Sequence, residues 1–220
     1  YDPEQYRSRT IPGSDTGSID GGWDHDAVFL GNRYGQGDPF SRAYAWRNGT
    51  PAHEATLRDE VVQKMRDAFG VRFGIFGAGW DKEKLCVAGR KGPCDCPPIE
   101  AVPVTKSHEV YQKSWIGLSV SLDNQLENYT SDRLIRILGC GALLLAKRFP
   151  GADVLGLRHE ENCLLFETAD EAVALAKEWI ASPERVQEVA AAGAKLAREN
   201  HTWLIRLIEM QALIEIIRSR

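Results

Sequence analysis

The sequence has 220 residues, of which 43% are apolar and 26% charged, and its formal net charge is -4. This composition fits one large domain with a packed core and excludes an intrinsically disordered chain. The negative charge argues against a broad electrostatic grip on nucleic acid, which normally needs a basic face. No apolar run reaches the roughly 18 residues that a membrane span requires, so none is predicted.

Residues 1–22 are polar and rich in Gly, Ser, Asp and Arg, which predicts an irregular lead-in or linker and not a signal peptide. The sequence opens with Tyr1 in place of an initiator methionine, as a piece of a longer protein would. Five cysteines without a secretory signal indicate reduced thiols, so we expect a cytoplasmic location.

The first half of the chain alternates short apolar runs with helical patterns. Strands are predicted at 27–30, 71–76 and 116–122, where apolar residues run together or alternate. A helix is predicted over 54–69, with Gly70 as its C-terminal cap, and a short helix over 107–114.

The second half continues the alternation. Further strands are predicted at 142–146 and 163–166, and helices at 131–138, 169–180, 182–199 and from about 202 onward. The alternation predicts an α/β fold with a doubly wound, Rossmann-like parallel sheet of about six strands over residues 23–200. The last helix, within 201–220, is apolar on most of its surface, so we expect it to be buried, with a second domain as one candidate partner.

Ligands of open parallel sheets bind beyond the carboxyl ends of the strands, so residues that follow strands are the first site candidates. Asn32 and Arg33 follow the first strand and can donate to phosphate oxygens, although an ordinary surface turn is equally consistent. Gly77 and Gly79 follow the second strand and remove side-chain bulk there. The indole of Trp80 either stacks on a base or packs under the loop.

The start of the helix over 131–138 is predicted to bind a diphosphate. Thr130 and Ser131 offer hydroxyls there, and the helix start adds unpaired N–H groups and the positive end of its dipole. Arg133 lies in the first turn, where a cation gains little from the helix and much from an anion. The alternative is a local pair between Asp132 and either Arg133 or Arg136.

Two further groups of residues are candidates for a functional site. Glu160 and Glu161 lie on the approach to the strand at 163–166, where a carboxylate could bind ribose or sugar hydroxyls. Three cysteines, Cys86, Cys94 and Cys96, are crowded together but lack the paired C-x₂-C spacing of zinc sites. We predict free thiols and no metal there; the alternative is a zinc site with a fourth ligand such as His108.

Taken in order, these segments resemble the C-terminal, donor-binding domain of GT-B glycosyltransferases, within the CgeB-like branch of group 1 glycosyltransferases. The resemblance spans residues 24 to about 210 and is carried by 28–32, Arg58, 73–80, 129–133, 139–141, 161–166, 201–203 and Arg206.

The resemblance implies a metal-independent glycosyltransferase half that binds a nucleoside-diphosphate sugar and needs no cofactor. It places the acceptor-binding domain before residue 1, and any general base with it, so no catalytic residue is assigned here. Many relatives carry paired glutamates where this sequence has Asn128 and Arg136, which leaves the ribose contact and the stereochemistry open. The acceptor is left open, with a glycan, a protein or a modified base in phage DNA as the alternatives. A nucleotide- or partner-binding module without turnover is the competing hypothesis.

Overall fold

The computed structural model describes residues 25–32, 52–80, 102–122, 124–127 and 129–219. The predicted lead-in at 1–22, the candidate phosphate contact Arg33 and the cysteines Cys86, Cys94 and Cys96 lie outside these residues.

The described residues form one parallel sheet of five strands, where about six were expected. The strands are β1 (His25–Leu30), β2 (Phe73–Phe76), β3 (Ser114–Ser119), β4 (Leu143–Lys147) and β5 (Leu164–Phe166). Their spatial order is β2-β1-β3-β4-β5, and every neighbouring pair is parallel. The prediction of an α/β, Rossmann-like parallel sheet is confirmed.

Helices cover both faces of this sheet. They are α1 (Ala52–Phe69), α2 (Ser107–Gln112), α3 (Asp132–Gly139), α4 (Ala169–Ile180), α5 (Pro183–Asn200) and α6 (Trp203–Arg218), and short 3₁₀ turns occupy Gly70–Arg72 and Val104–Lys106. Side chains from α1, α4 and the start of α5 form the core on one face, and those from α2, α3 and the end of α5 form it on the other.

The strands are apolar at nearly every position because both of their faces are buried. In β1, Phe29 belongs to one core and its neighbour Val28 to the other, as the two-residue period of a strand requires. Gly117 in β3 lets α3 approach closely, since a Cβ there would lie 2.5 Å from Ile137. This close contact sets where the start of α3 meets the edge of the sheet.

The terminal helix α6 leaves the domain and buries none of its residues on it. Thr202 caps its start, accepting a hydrogen bond from the Ile205 backbone at 3.3 Å. Ile205 is partly buried, and the other large apolar side chains are between 45% (Ile214) and 71% (Ile217) exposed. Within the described residues this helix is therefore not buried on its own domain, and its packing against a second domain stays a prediction.

Among the residues that the structure describes, no helix combines the length and apolarity needed to cross a membrane.

Candidate functional site

A cleft of about 420 Å³ opens at the carboxyl edge of the sheet. It lies where the turns that follow β1 and β2 face the start of α3 and the short helix α2. Its lining residues are Leu30, Gly31, Asn32, Phe76, Gly77, Val102, Ser107, Tyr111, Asp132, Arg133 and Arg136. This is the edge at which open parallel sheets bind ligands.

The turns after β1 and β2 lie directly against each other. The Gly31 N–H donates to the Phe76 carbonyl at 2.8 Å, and the Ala78 N–H donates to the Asn32 side-chain oxygen at 2.9 Å. Gly77 has a φ of 143°, and a Cβ at this position would overlap the Gly31 carbonyl. Glycine is thus required here by contact between the two turns, and Asn32 uses its amide oxygen to join them.

Arg133 lines the cleft but is also bound into the fold. Its Nε donates to the Leu30 carbonyl at 2.6 Å and its Nη1 to the Val120 carbonyl at 3.1 Å. The guanidinium carbon lies 4.9 Å from the centre of the Phe29 ring, within the range of a cation–π contact. The prediction that an arginine at this position gains little from the fold is therefore wrong. Sequence spacing does not reveal that backbone carbonyls distant along the chain accept its hydrogen bonds.

The negative charge beside Arg133 is paired with a different arginine. Asp132 accepts from Arg136, one helical turn along α3, at 2.6 Å. Of the local pairs considered from sequence, the structure has the one between Asp132 and Arg136. Arg136 also lines the cleft, so a second guanidinium is present there.

Thr130 and Ser131 face a second, smaller recess next to the start of α3. Ser131 caps α3, and its hydroxyl accepts from the Arg133 N–H at 3.3 Å. The recess has a volume of about 10 Å³, and its polar lining comes from Ser119, Ser121, Asn124, Tyr129, Thr130, Ser131 and Lys147. Lys147 is buried at the end of β4 and pairs with Glu167 at 2.6 Å. The start of α3 therefore separates a larger cleft from a hydroxyl-lined recess.

Trp80 packs under the loop, which is one of the two alternatives that the sequence left open. It is only 9% exposed, its Nε1 donates to the Gly31 carbonyl at 2.7 Å, and its ring meets Phe29 edge to face at 5.8 Å. Its neighbour Gly79 is exposed with a φ of 84°. Neither residue is part of the cleft lining, so ligand contact by Gly79 or Trp80 is not supported.

Glu160 and Glu161 are placed away from the cleft, contrary to the sequence expectation. They precede β5, so they lie at the amino edge of the sheet, opposite the edge where the other candidates meet. The Glu160 carboxylate accepts from Arg185 at the start of α5 at 2.9 Å, and Glu161 is exposed. The chain between β4 and β5 returns from the carboxyl edge to the amino edge before it enters β5, and a sugar contact by these carboxylates stays a prediction.

Sequence reasoning missed Ser107 and Tyr111, which bring α2 to the cleft wall. Tyr111 is buried, and burial raises the pKa of its phenol well above the ordinary value, so the group stays protonated. The six-residue helix α2 follows no strand of the described sheet directly, so it is not among the residues that the position after a strand marks as site candidates.

The two described cysteines are structural. Cys140 and Cys163 are buried thiols, and burial raises the pKa of Cys163 to about 12. Both remain protonated near neutrality and are poor nucleophiles.

Comparison with known proteins identifies the family. A model of the family described as "Glycosyl transferase-like" matches residues 58–212. Glycosyltransferase 1 domain-containing protein 1 of Xenopus tropicalis is 25% identical over 116 residues, covering 53% of this chain and 32% of that protein.

Solved structures share the fold at low identity. Anabaena HepE, solved with UDP and glucose, has a TM-score of 0.61 at 12% identity, covering 100% of this chain and 55% of that one. Sucrose-phosphate synthase of Thermosynechococcus elongatus has a TM-score of 0.58 at 12% identity, covering 90% and 47%. The C-terminal domain of the Francisella tularensis group 1 glycosyltransferase LpcC has a TM-score of 0.60 at 9% identity, covering 92% and 99%.

The chain spans about half the length of the first two structures, a third of the Xenopus protein, and nearly the whole of the isolated LpcC domain. Its sheet is the one found in GT-B glycosyltransferases. Because the family match extends over well more than half of its residues, the chain belongs to the glycosyl transferase-like family.

Proposed function

We propose that this chain is the donor-binding half of a GT-B glycosyltransferase, which transfers a sugar from a nucleoside-diphosphate sugar to an acceptor. The observation that carries the proposal is the carboxyl-edge cleft, in which the Arg133 guanidinium lies beside the start of α3. Support also comes from HepE, which shares this fold and was solved with UDP and glucose.

The diphosphate is proposed to lie at the start of α3. The helix dipole favours an anion there, and guanidinium groups bind phosphate oxygens through paired N–H donors. The guanidinium of Arg133 is already fixed by two carbonyls, so binding does not have to order it. The nucleoside is then proposed to fill the cleft towards Tyr111, and the sugar hydroxyls to contact Thr130 and Ser131 from outside the recess, whose volume of about 10 Å³ admits no more than a water molecule.

Catalysis by this half is proposed to be electrostatic. When the bond between the sugar and the diphosphate breaks, negative charge develops on the departing phosphate. Cations and N–H groups held in position stabilise that charge without reorganising. In this proposal Arg133 balances the diphosphate in place of a metal ion, with Arg33 as a further candidate in the turn after β1.

The acceptor and any general base are proposed to belong to a second domain. The chain spans only about half of the two longer solved structures that it resembles, and α6 presents an apolar surface that its own domain leaves uncovered. We propose that α6 packs against that second domain and brings it over the cleft.

Turnover is the test of this proposal. The complete protein, in which this chain is joined to the proposed acceptor domain, is incubated with UDP-glucose, UDP-N-acetylglucosamine and GDP-mannose, and the released nucleoside diphosphate is measured by chromatography, with and without EDTA. We expect release from at least one donor, persisting in EDTA and reduced by Arg133→Lys. The matched control is Arg198→Lys on the exposed side of α5, which should match wild type.

Binding of these nucleotides without release would reject the enzyme and favour a nucleotide-binding module. The feature that favours this second candidate is Arg136, which occupies the cleft wall where relatives carry a glutamate and is paired with Asp132.

A further inference from the structure

Three successive carbonyls at the end of β1 and in the turn that follows it each accept a hydrogen bond from a side chain of a different part of the chain. Leu30 accepts from Arg133 at 2.6 Å, Gly31 accepts from Trp80 at 2.7 Å, and Asn32 accepts from Arg58 at 3.2 Å. These carbonyls belong to the wall of the cleft. The turn after β1 is therefore held by donors from α3, from the turn after β2 and from α1.

Arg58, like Trp80, does not line the cleft. It is only 6% exposed, and besides Asn32 it donates from Nε to the Val120 carbonyl at 3.0 Å. Val120 follows β3 directly, so one guanidinium ties the carboxyl ends of two neighbouring strands together.

Arg58 and Arg133 share an acceptor. The Val120 carbonyl accepts from Arg58 at 3.0 Å and from Arg133 at 3.1 Å. Both guanidinium carbons also lie within 6 Å of the centre of the Phe29 ring, at 5.9 Å and 4.9 Å respectively. A carbonyl oxygen has two lone pairs, so the direction of one bond limits the direction left for the other.

We infer that Arg58 is a positioning residue for the donor diphosphate, acting by fixing the Val120 and Asn32 carbonyls and, through the shared Val120 acceptor, the plane of the Arg133 guanidinium. The part of this inference that concerns the diphosphate rests on the proposed function. The Leu30, Gly31 and Asn32 carbonyls already accept hydrogen bonds, so their negative ends are engaged when an anion approaches.

An arginine is needed for this because the guanidinium is a rigid plane that reaches two acceptors at once. A lysine at position 58 keeps the positive charge and can donate to one of the two carbonyls, but it cannot hold both in the geometry that the guanidinium gives. Arg58→Lys is thus the variant that removes the positioning while disturbing the buried environment least. Arg198→Lys, on the exposed side of α5, is the matched control.

The first measurement follows Arg133 directly. The Nε–H signal of Arg133, assigned by its loss in Arg133→Lys, is observed by NMR, and its exchange with solvent is measured. We expect exchange at least about ten-fold faster in Arg58→Lys than in wild type, the change that loss of one hydrogen bond to a charged group would give. Arg198→Lys should leave this rate unchanged. An unchanged rate in a folded Arg58→Lys protein overturns the inference.

The second measurement is calorimetric titration with UDP, GDP and ADP. For the nucleotide that wild type binds, Arg58→Lys should raise the Kd about ten-fold, because Arg133 is no longer held in place. A merely structural role would lower the unfolding midpoint and leave the Kd of the folded protein unchanged, which also overturns the inference.

If wild type binds none of the three, the proposed function fails, while the exchange measurement still decides whether Arg58 positions Arg133. If Arg133→Lys weakens binding and Arg58→Lys changes neither readout, the positioning role fails and the proposed function stands.

Discussion

At the scale of single residues, Arg133 joins the fold and the candidate site. Its bonds to Leu30 and Val120 span 103 and 13 residues of sequence. The sequence predicted that Arg133 lies at a helix start beside the carboxyl edge, and this is confirmed by its position in α3. The sequence could not predict the acceptors of Arg133, because they depend on which strands are neighbours in the sheet. Contact between Arg133 and a phosphate stays a prediction.

This double role changes what is expected of an Arg133→Ala variant. Removing the guanidinium leaves two carbonyls at the cleft wall without a donor, so the free energy of unfolding should fall by about 1–3 kcal/mol. Chemical denaturation measures this loss, and Arg198→Ala serves as the surface control. An Arg133→Ala protein as stable as the control would show that the two bonds contribute nothing measurable.

At the scale of elements, strands and helices were predictable because their patterns are local. Continuous or alternating apolar residues located all five strands of the described sheet to within a few residues. The position of Glu160 and Glu161 was not predictable in the same way. It depends on the path of the long connection between β4 and β5, which returns the chain to the amino edge.

The junction between α5 and α6 is predicted to be sensitive to pH. His201 is only 8% exposed; its Nε2 lies 2.9 Å from the Leu155 carbonyl and its Nδ1 lies 2.7 Å from an Arg206 nitrogen. The neutral ring donates from Nε2 and accepts at Nδ1, whereas a protonated ring would turn an N–H towards Arg206. Burial, with Arg206 adding to its effect, lowers the pKa of His201 below its ordinary value of about 6.5.

Because the folded pKa is depressed, the unfolded state binds the proton more readily. The contribution of His201 to stability is therefore complete above about pH 6.5 and is lost as the pH falls through the lower folded pKa. Denaturation of wild type and His201→Gln between pH 7.5 and 5 measures this. We expect the wild-type free energy of unfolding to fall more steeply on acidification than that of the variant. Parallel curves would exclude His201 as the titrating group.

At the scale of the whole molecule, the uncovered apolar surface of α6 distinguishes this chain from a domain that buries its large apolar side chains by itself. Monomeric proteins rarely expose a continuous apolar patch of this kind unless it contacts a partner. The sequence predicted the apolar helix correctly, but burial is a property of the assembly and not of the helix pattern. The proposed second domain accounts for the surface and for the share of the longer relatives that this chain spans.

Polar substitutions on α6 are expected to leave the stability of this chain nearly unchanged. Leu207→Gln and Ile214→Gln remove apolar area that is more than 40% exposed, so each should change the free energy of unfolding by less than about 0.5 kcal/mol. Leu138→Ala in the core is the contrast and should cost about 2–5 kcal/mol. Light scattering should also show less self-association in the α6 variants. Losses on α6 as large as that of Leu138→Ala would mean that this helix packs on its own domain.

In the proposed function, the carboxyl-edge cleft binds a nucleoside diphosphate through Arg133. Calorimetric titration of wild type and Arg133→Ala with UDP, GDP and ADP measures this binding. We expect saturable binding of at least one of them by wild type, weakened by about 1.5–3 kcal/mol in the variant, the range for hydrogen bonds to charged groups. Equal affinity in the two folded proteins, or no binding of any of the three by wild type, would contradict it.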